Sequence, residues 1–283
     1  MNTSSFLSPP EATKYLLLSS LAKCARTPGT IFVASLMGGA YLSLGGLLSL
    51  TVAGGSAAAL PAGIVSLLAG ITFPVGLSMI IFSGTDLLTG NMLYGTVPFC
   101  DLQDRSGTET QHAVSNLVKI LGVSFVGNLI GSAAMALSVG AFCGVAENAT
   151  LAGWVMTLAK KKCALPFATA FVRGIGANWL VCLAVYMSMC SRTAGGKILS
   201  LWIPISTFVA LGFEHSVANM FTIPLGMYLL AATPHALGML DLFGNLLPVI
   251  LGNFVGASIF VAAAQWYLSF GSRRGILEGM NKH

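Results

Sequence analysis

Very few residues in this 283-residue chain can do chemistry, and those few sit deep in apolar sequence. His215 lies in Gly212-Phe-Glu-His-Ser-Val-Ala218, inside 35 residues (198–232) whose only acid and base are Glu214 and His215. An imidazole takes or releases a proton near neutral pH, and a titratable group in the middle of an apolar segment is costly enough to imply a use. Asp86 lies in Ser83-Gly-Thr-Asp-Leu-Leu-Thr-Gly90, the one carboxylate in 42 nearly continuous apolar positions (59–100). Thr89, three residues on, offers a hydroxyl able to share a hydrogen bond with His215. Asp86 and Glu214 each precede a glycine-rich polar interruption. They are expected to accept hydrogen bonds from amides freed there rather than to touch a solute, with Asn91 and Asn219 stitching the same breaks. The four histidines lie far apart, no Cys/His/Asp spacing resembles a metal site, and no phosphate-binding loop is visible. The expectation is no metal, no cofactor and no enzymatic activity.

The elements that must position these residues follow from composition. With 55 % apolar and 8 % charged residues, the chain carries about a third of the charge of a soluble domain. Mean hydropathy is +0.83. That excludes a nucleic-acid partner and an enzyme for acidic substrates. Residues 27–85, 120–146, 174–191 and 242–272 lack Asp, Glu, Lys and Arg altogether, and a membrane span needs about 20 apolar residues. The fold class is an all-α polytopic membrane protein in the lipid bilayer of a cell membrane, as one transmembrane domain over residues 1–283. Clear spans fall near 28–52, 112–142, 164–190 and 236–270. Segments 59–100 and 198–232 are each too long for one ordinary helix, and the piece after Asp86 rises only about 21 Å against a core of about 30 Å. Each is therefore expected to be one helix broken at mid-membrane, giving six transmembrane helices. The positive-inside count sets Lys14, Lys23, Arg26, Arg105, Arg192, Lys197, Arg273, Arg274 and Lys282 against Lys160, Lys161 and Lys162, which puts both termini in the cytoplasm. Met1–Tyr15 has no apolar core and reads as no cleavable leader. Six scattered cysteines read as buried free thiols, and Asn148-Ala-Thr150 as a chance sequon.

The chain also repeats itself. Lys23-Cys24-Ala25 and Phe32-Val33 recur as Lys162-Cys163-Ala164 and Phe171-Val172, both at an offset of 139. Gly84-x-Asp86 and Asn91-Met92 recur as Gly212-x-Glu214 and Asn219-Met220 at 128, and Gly127-Asn128-x-x-Gly131 as Gly252-Asn253-x-x-Gly256 at 125. Two three-helix repeats, about 20–145 and 158–270, must be inverted relative to one another because three crossings is an odd number; paired broken helices in inverted repeats mark transporters and channels. Lys23 and Lys162 then stand at opposite mouths, where a cation attracts anions. Phe73, Leu77, Leu87, Phe208 and Val181 flank the breaks as candidate constrictions. Asn128, Asn253 and Asn178 read as interhelical hydrogen-bonding residues, the glycines beside them as close-packing contacts, and Lys119 and Arg173 as interface residues.

Four motifs in order, Ser83-Gly-Thr-Asp-Leu-Leu-Thr-Gly-Asn91, Gly176-Ala-Asn-Trp-Leu-Val-Cys-Leu-Ala184, Gly212-Phe-Glu-His-Ser-Val-Ala-Asn-Met220 and Asn245-Leu-Leu-Pro-Val-Ile-Leu-Gly-Asn253, resemble the formate/nitrite transporter family from about residue 8 to 270. The resemblance implies an aquaporin-like fold in a homopentamer with one pore per protomer. It places the family's central histidine on His215, its pore threonine on Thr89 and its pore asparagine on Asn178. Its vestibule lysines fall on Lys23 and Lys162, and its constriction residues on Phe73, Leu77, Leu87 and Phe208. It implies a small monocarboxylate or inorganic anion moving with protons: formate first, then nitrite, with lactate and hydrosulfide behind. A non-conducting sensor or scaffold and a water or glycerol channel are the competing classes. In this reading the lysines draw the anion in and His215 supplies or relays a proton.

Overall fold

A computed structural model describes residues 5–102, 107–145 and 147–271. Arg105, Arg273, Arg274 and Lys282, which entered the charge count, lie outside the described residues. The described chain is helical apart from one isolated bridge between Phe6 and Ser191. Its helices are α1 (Pro9–Cys24), α2 (Pro28–Ser56), α3 (Ala62–Thr72), α4 (Pro74–Ser83), α5 (Leu88–Cys100), α6 (Thr108–Phe142), α7 (Ala149–Cys163), α8 (Phe167–Cys190), α9 (Ala194–Ala210), α10 (Ser216–Leu230) and α11 (Met239–Ala257). The last runs on through wide π turns over Ser258–Ala263 and Tyr267–Gly271.

Among the described residues five helical segments are long and apolar enough to cross a membrane: Pro28–Ser56, Ala62–Ser83, Thr108–Phe142, Phe167–Cys190 and Met239–Gly271. α9 and α10 are shorter apolar helices of 17 and 15 residues. The helical backbone is interrupted between Ser83 and Leu88 and between Ala210 and Ser216, and the first interruption does not halve its segment. Ala62–Ser83 is 22 residues long, and only the 13 residues of α5 follow the break. A kink absent from the sequence reading separates α3 from α4, because Pro74 has no N–H to continue the ladder. Gly84 and Gly212 take φ of +71° and +68°, the left-handed region that an L side chain enters only with strain.

The bundle is built on two helix pairs that pack backbone against backbone. A Cβ on Gly131 of α6 would lie 2.1 Å from the Leu36 carbonyl oxygen of α2, and a Cβ on Gly252 of α11 would lie 2.1 Å from that of Phe171 on α8. Small residues let apolar helices approach this closely where burial from water contributes little. Their repeat equivalents are close as well: a Cβ on Gly256 would lie 2.4 Å from the Ile175 carbonyl oxygen, and one on Gly127 2.9 Å from that of Phe32.

Two further helices lie outside the long spans. α1 starts where Ser8 and Glu11 close a capping box, the Ser8 amide donating to Glu11 Oε2 at 2.8 Å and its hydroxyl at 2.7 Å, with Pro9 at the first helical position. That signature, Ser8 three residues before Glu11, is legible in the sequence. The chain before α1 is tied to the end of α8 by Leu7 N–H donating to the Cys190 carbonyl and Arg192 N–H donating to that of Ser5. α7 starts on Asn148, whose Oδ1 accepts from the Leu151 amide at 3.1 Å. The residue read as part of a chance sequon is thus a helix cap. None of the cysteines is in a disulfide, and only Cys24, Cys182 and Cys190 are buried. Cys143, just past the end of α6, is exposed, which corrects the expectation for that thiol.

Candidate functional site

The two breaks converge on a buried polar centre. His215 Nδ1 accepts the Ala218 amide at 3.2 Å, so the imidazole is itself the cap of α10. With a lone pair at Nδ1, the proton of the neutral ring sits on Nε2, which is 3.0 Å from Thr89 Oγ1 and donates to it. Thr89 stands in the first turn of α5. The sequence-predicted pair is therefore brought together, each partner from a different break, and both are buried. The Phe208 ring lies over the imidazole, centroids 5.7 Å apart, and Phe73 meets Phe208 edge-on at 5.7 Å.

Asn178 lies beneath them on α8. Its Nδ2 donates to the Thr89 carbonyl at 3.1 Å and to the Asn253 carbonyl at 2.9 Å, joining the two halves. The Cys182 thiol donates to the same Thr89 carbonyl.

The breaks are closed by asparagines, not by the carboxylates. Asn128 Oδ1 accepts the Leu88 amide at 2.6 Å, while its Nδ2 donates to the carbonyls of Ser35 and Asp86. Asn253 repeats this bond for bond: Oδ1 accepts the Ser216 amide at 3.0 Å and Nδ2 donates to the carbonyls of Gly174 and Glu214. The Asp86 and Glu214 amides donate to Ala34 and Arg173 carbonyls, again repeat equivalents. This corrects the expectation that Asp86 and Glu214 would receive the freed amides. In the extended backbone of each break their side chains turn to basic residues instead. Asp86 pairs with Lys23 and, at 3.2 Å, with Arg26. Glu214 pairs with Lys162 at 2.9 Å and accepts from Asn219 Nδ2 at 2.7 Å. Asn219 also donates to Asn245, whose own amide reaches the Lys162 carbonyl. Asn91 is held elsewhere, on Ser124 of α6.

Lys23 and Lys162 are consequently neutralised cations rather than the bare charges the sequence suggested. Burial pushes Lys23 below its ordinary value and Asp86 pulls it back up; its ammonium also lies 5.0 Å from the Tyr94 ring centroid. Arg26 escaped the sequence reading because nothing in its spacing marks it. Its signal is position, one helical turn past Lys23. Lys119, read as an interface residue, donates to the Cys24 carbonyl at the end of α1.

Two cavities approach the centre from opposite sides. One of about 500 Å³ on the α7 side is lined by Phe73, Phe208, Lys162, Glu214 and His215. The other, about 100 Å³ on the α1 side, is lined by Lys23, Asp86, Leu77, Leu87 and Val181. The five candidate constriction residues thus divide into an aromatic pair facing one cavity and three aliphatic residues facing the other. Thr89 and Asn178 line neither of these cavities. Among the described residues no group of His, Cys, Asp and Glu is arranged to hold a metal ion.

An apolar helical bundle with two opposed vestibules and a polar pair between them has the layout of a membrane transport protein. The family model described as "Formate/nitrite transporter" matches residues 10–267, and the chain belongs to that family of transporters and channels. It is 39 % identical over 279 residues to a "Probable formate transporter" of Methanothermobacter thermautotrophicus, covering 93 % of this chain and 97 % of that one. A solved structure titled "FNT family ion channel" superposes with a TM-score of 0.78 at 28 % identity, over 91 % of this chain and 98 % of the other. A "Pentameric formate channel with formate bound" superposes with a TM-score of 0.72 at 28 % identity, over 85 % and 97 %.

Proposed function

We propose that the chain conducts a small monovalent anion, formate before nitrite, lactate or hydrosulfide, through a pore in each protomer of a homopentamer, with six crossings in two inverted repeats and both termini in the cytoplasm. The observation that carries this is the His215–Thr89 pair, buried and hydrogen-bonded at 3.0 Å between two vestibules. Formate comes first because the relative at 39 % identity is a "Probable formate transporter".

The physics of the pathway divides the task. A bare charge among Phe73, Leu77, Leu87 and Phe208 costs at least several kcal/mol, so the ion is held back. The lysine–carboxylate pairs at the mouths offer an approaching anion a cation whose charge is already compensated, so the anion competes with Asp86 or Glu214 for Lys23 or Lys162. As the dielectric falls, the acid's own pKa rises and it takes a proton from vestibule water. The neutral molecule passes the constrictions and meets donors at the centre.

His215 acts there as a neutral donor through Nε2 that orients the Thr89 hydroxyl. A second ring proton would have to sit on Nδ1 and displace the Ala218 amide, which favours water over His215 as the proton source. The test is stopped-flow formate uptake by proteoliposomes across pH. Uptake is expected to rise as external pH falls, with formate and proton moving together. His215→Asn, which retains a hydrogen-bonding side chain, is expected to keep that pH profile at reduced rate. No uptake above protein-free vesicles at any pH, with pentamers intact, would support a sensor or scaffold; osmotic water flow indifferent to formate would support a water channel.

A further inference from the structure

The two vestibules are unequal in a way that moving a one-carbon anion does not require. The α1-side cavity, about 100 Å³, is lined by one cation and one acid, Lys23 and Asp86, which pair. The α7-side cavity, about 500 Å³, is lined by three cations, Lys161, Lys162 and Arg173, and one acid, Glu214, which pairs with Lys162. Lys161 and Arg173 make no ion pair with any described residue. The cavity therefore carries two uncompensated positive charges, and its walls are otherwise largely apolar, with Trp154 and Phe213 among them. About 500 Å³ lies in the range of sites that enclose small organic ligands, about 300–1,000 Å³, in which apolar walls and a few charged groups together give affinity. A cavity of about 100 Å³ falls well below that range.

We propose that the α7-side vestibule is a binding site for an organic anion with an apolar body and two carboxylates, held by Lys161 and Arg173 above the Phe73–Phe208 pair. Such an anion is too large and too charged to go further. It closes the pathway from the α7 side alone, because the α1-side vestibule lacks the volume and the two cations beside it, Lys23 and Arg26, are both held by Asp86. Occupancy falls with ionic strength, since both cations are exposed. The closure part of this proposal rests on the conduction reading above; the binding part does not.

The probe is 1,2-benzenedicarboxylate, doubly charged at neutral pH and so unable to leak across lipid. Calorimetry on the purified pentamer should show saturable binding that weakens about tenfold or more in the Lys161→Ala/Arg173→Ala double variant, a loss of charge attraction at short range. In vesicle preparations whose protein orientation is read with an impermeant thiol label on exposed Cys143, the probe should suppress formate flux when added on the α7 side and leave it unchanged from the other. The double variant should keep its unblocked flux and resist the probe. No saturable binding, equal binding by wild type and double variant, or equal block from both sides would each overturn the proposal. Saturable, variant-sensitive binding in a protein that passes no formate would keep the site and remove the conduction reading instead.

Discussion

The break before α5 and the break before α10 use one backbone design to opposite ends. Both follow a left-handed glycine, both are closed by an asparagine three-way bond, and both hold a carboxylate against a lysine. They part company in the residue after the carboxylate. The first break has Leu87 there, facing the small cavity; the second has His215, capping its own helix and reaching Thr89. They differ again in how the carboxylate is held: Asp86 by two cations, Glu214 by one cation and an asparagine. The two breaks share one frame and differ at the residue after the carboxylate and in the partners that hold the carboxylate.

The sharpest way to break this equivalence is to remove the caps. Asn128→Ala and Asn253→Ala each strand one amide and two carbonyls in the interior, at about 1–3 kcal/mol for each buried unsatisfied group, so each should cost roughly 3–9 kcal/mol. Detergent-solubilised melting followed by size-exclusion of the surviving oligomer measures both; tolerance of one variant and loss of the other would end the symmetry argument. Next come the helix contacts. Gly131→Ala and Gly252→Ala each set a methyl 2.1 Å from a carbonyl oxygen, and forcing the backbones apart should cost roughly 1–3 kcal/mol in either half. A neutral result at one position would show that its helix pair slides where the other cannot.

The carboxylates should separate the halves. Asp86→Asn leaves two cations without their acid, whereas Glu214→Gln leaves one and keeps an acceptor for Asn219, so the first should be the more destabilising by about 1 kcal/mol. The same melts measure the difference, and the reverse order would show that Arg26 contributes nothing. The smallest effect concerns the helices preceding each repeat. The Ser8 hydroxyl and amide hold Glu11 below its ordinary value of 4.5, so their contribution is present above that pH and lost as pH falls through the lower folded value. Protection of the first-turn amides of α1 from hydrogen exchange should then fall, while α7, capped by an uncharged asparagine, keeps its protection. Equal loss in both would mean that acid loosens the whole bundle.

What the sequence disclosed follows from contrast. Asp86, Glu214, His215 and the paired glycines stand out because the background is apolar, and the repeat is visible because rare polar residues recur in order. Partnerships were harder to read. Lys23 and Asp86 are 63 residues apart and Lys162 and Glu214 are 52 apart, and no spacing rule links such positions. The asparagine caps were in view as Gly127-Asn128 and Gly252-Asn253 but carried the ordinary reading of interhelical bonds, since only coordinates show which amide each side chain meets. α1 and α7 were missed because short helices outside the apolar spans leave no hydropathy signal; Ser8, Glu11 and Asn148 were the cues.

The distance between each break and its closing side chain also bears on how the protein is made. Leu88 waits for Asn128, 40 residues further along, and Ser216 for Asn253, 37 residues further. At about 5–20 residues per second, each interval lasts on the order of 2–8 s during synthesis. Through that time the nascent chain holds an amide whose partner does not yet exist, so the first break is completed only when α6 leaves the ribosome. Both caps come from within their own half, so neither break depends on a side chain of the other half for its closing asparagine. The bonds that join the halves, Asn178 to the Thr89 carbonyl and His215 to the Thr89 hydroxyl, wait for the second half.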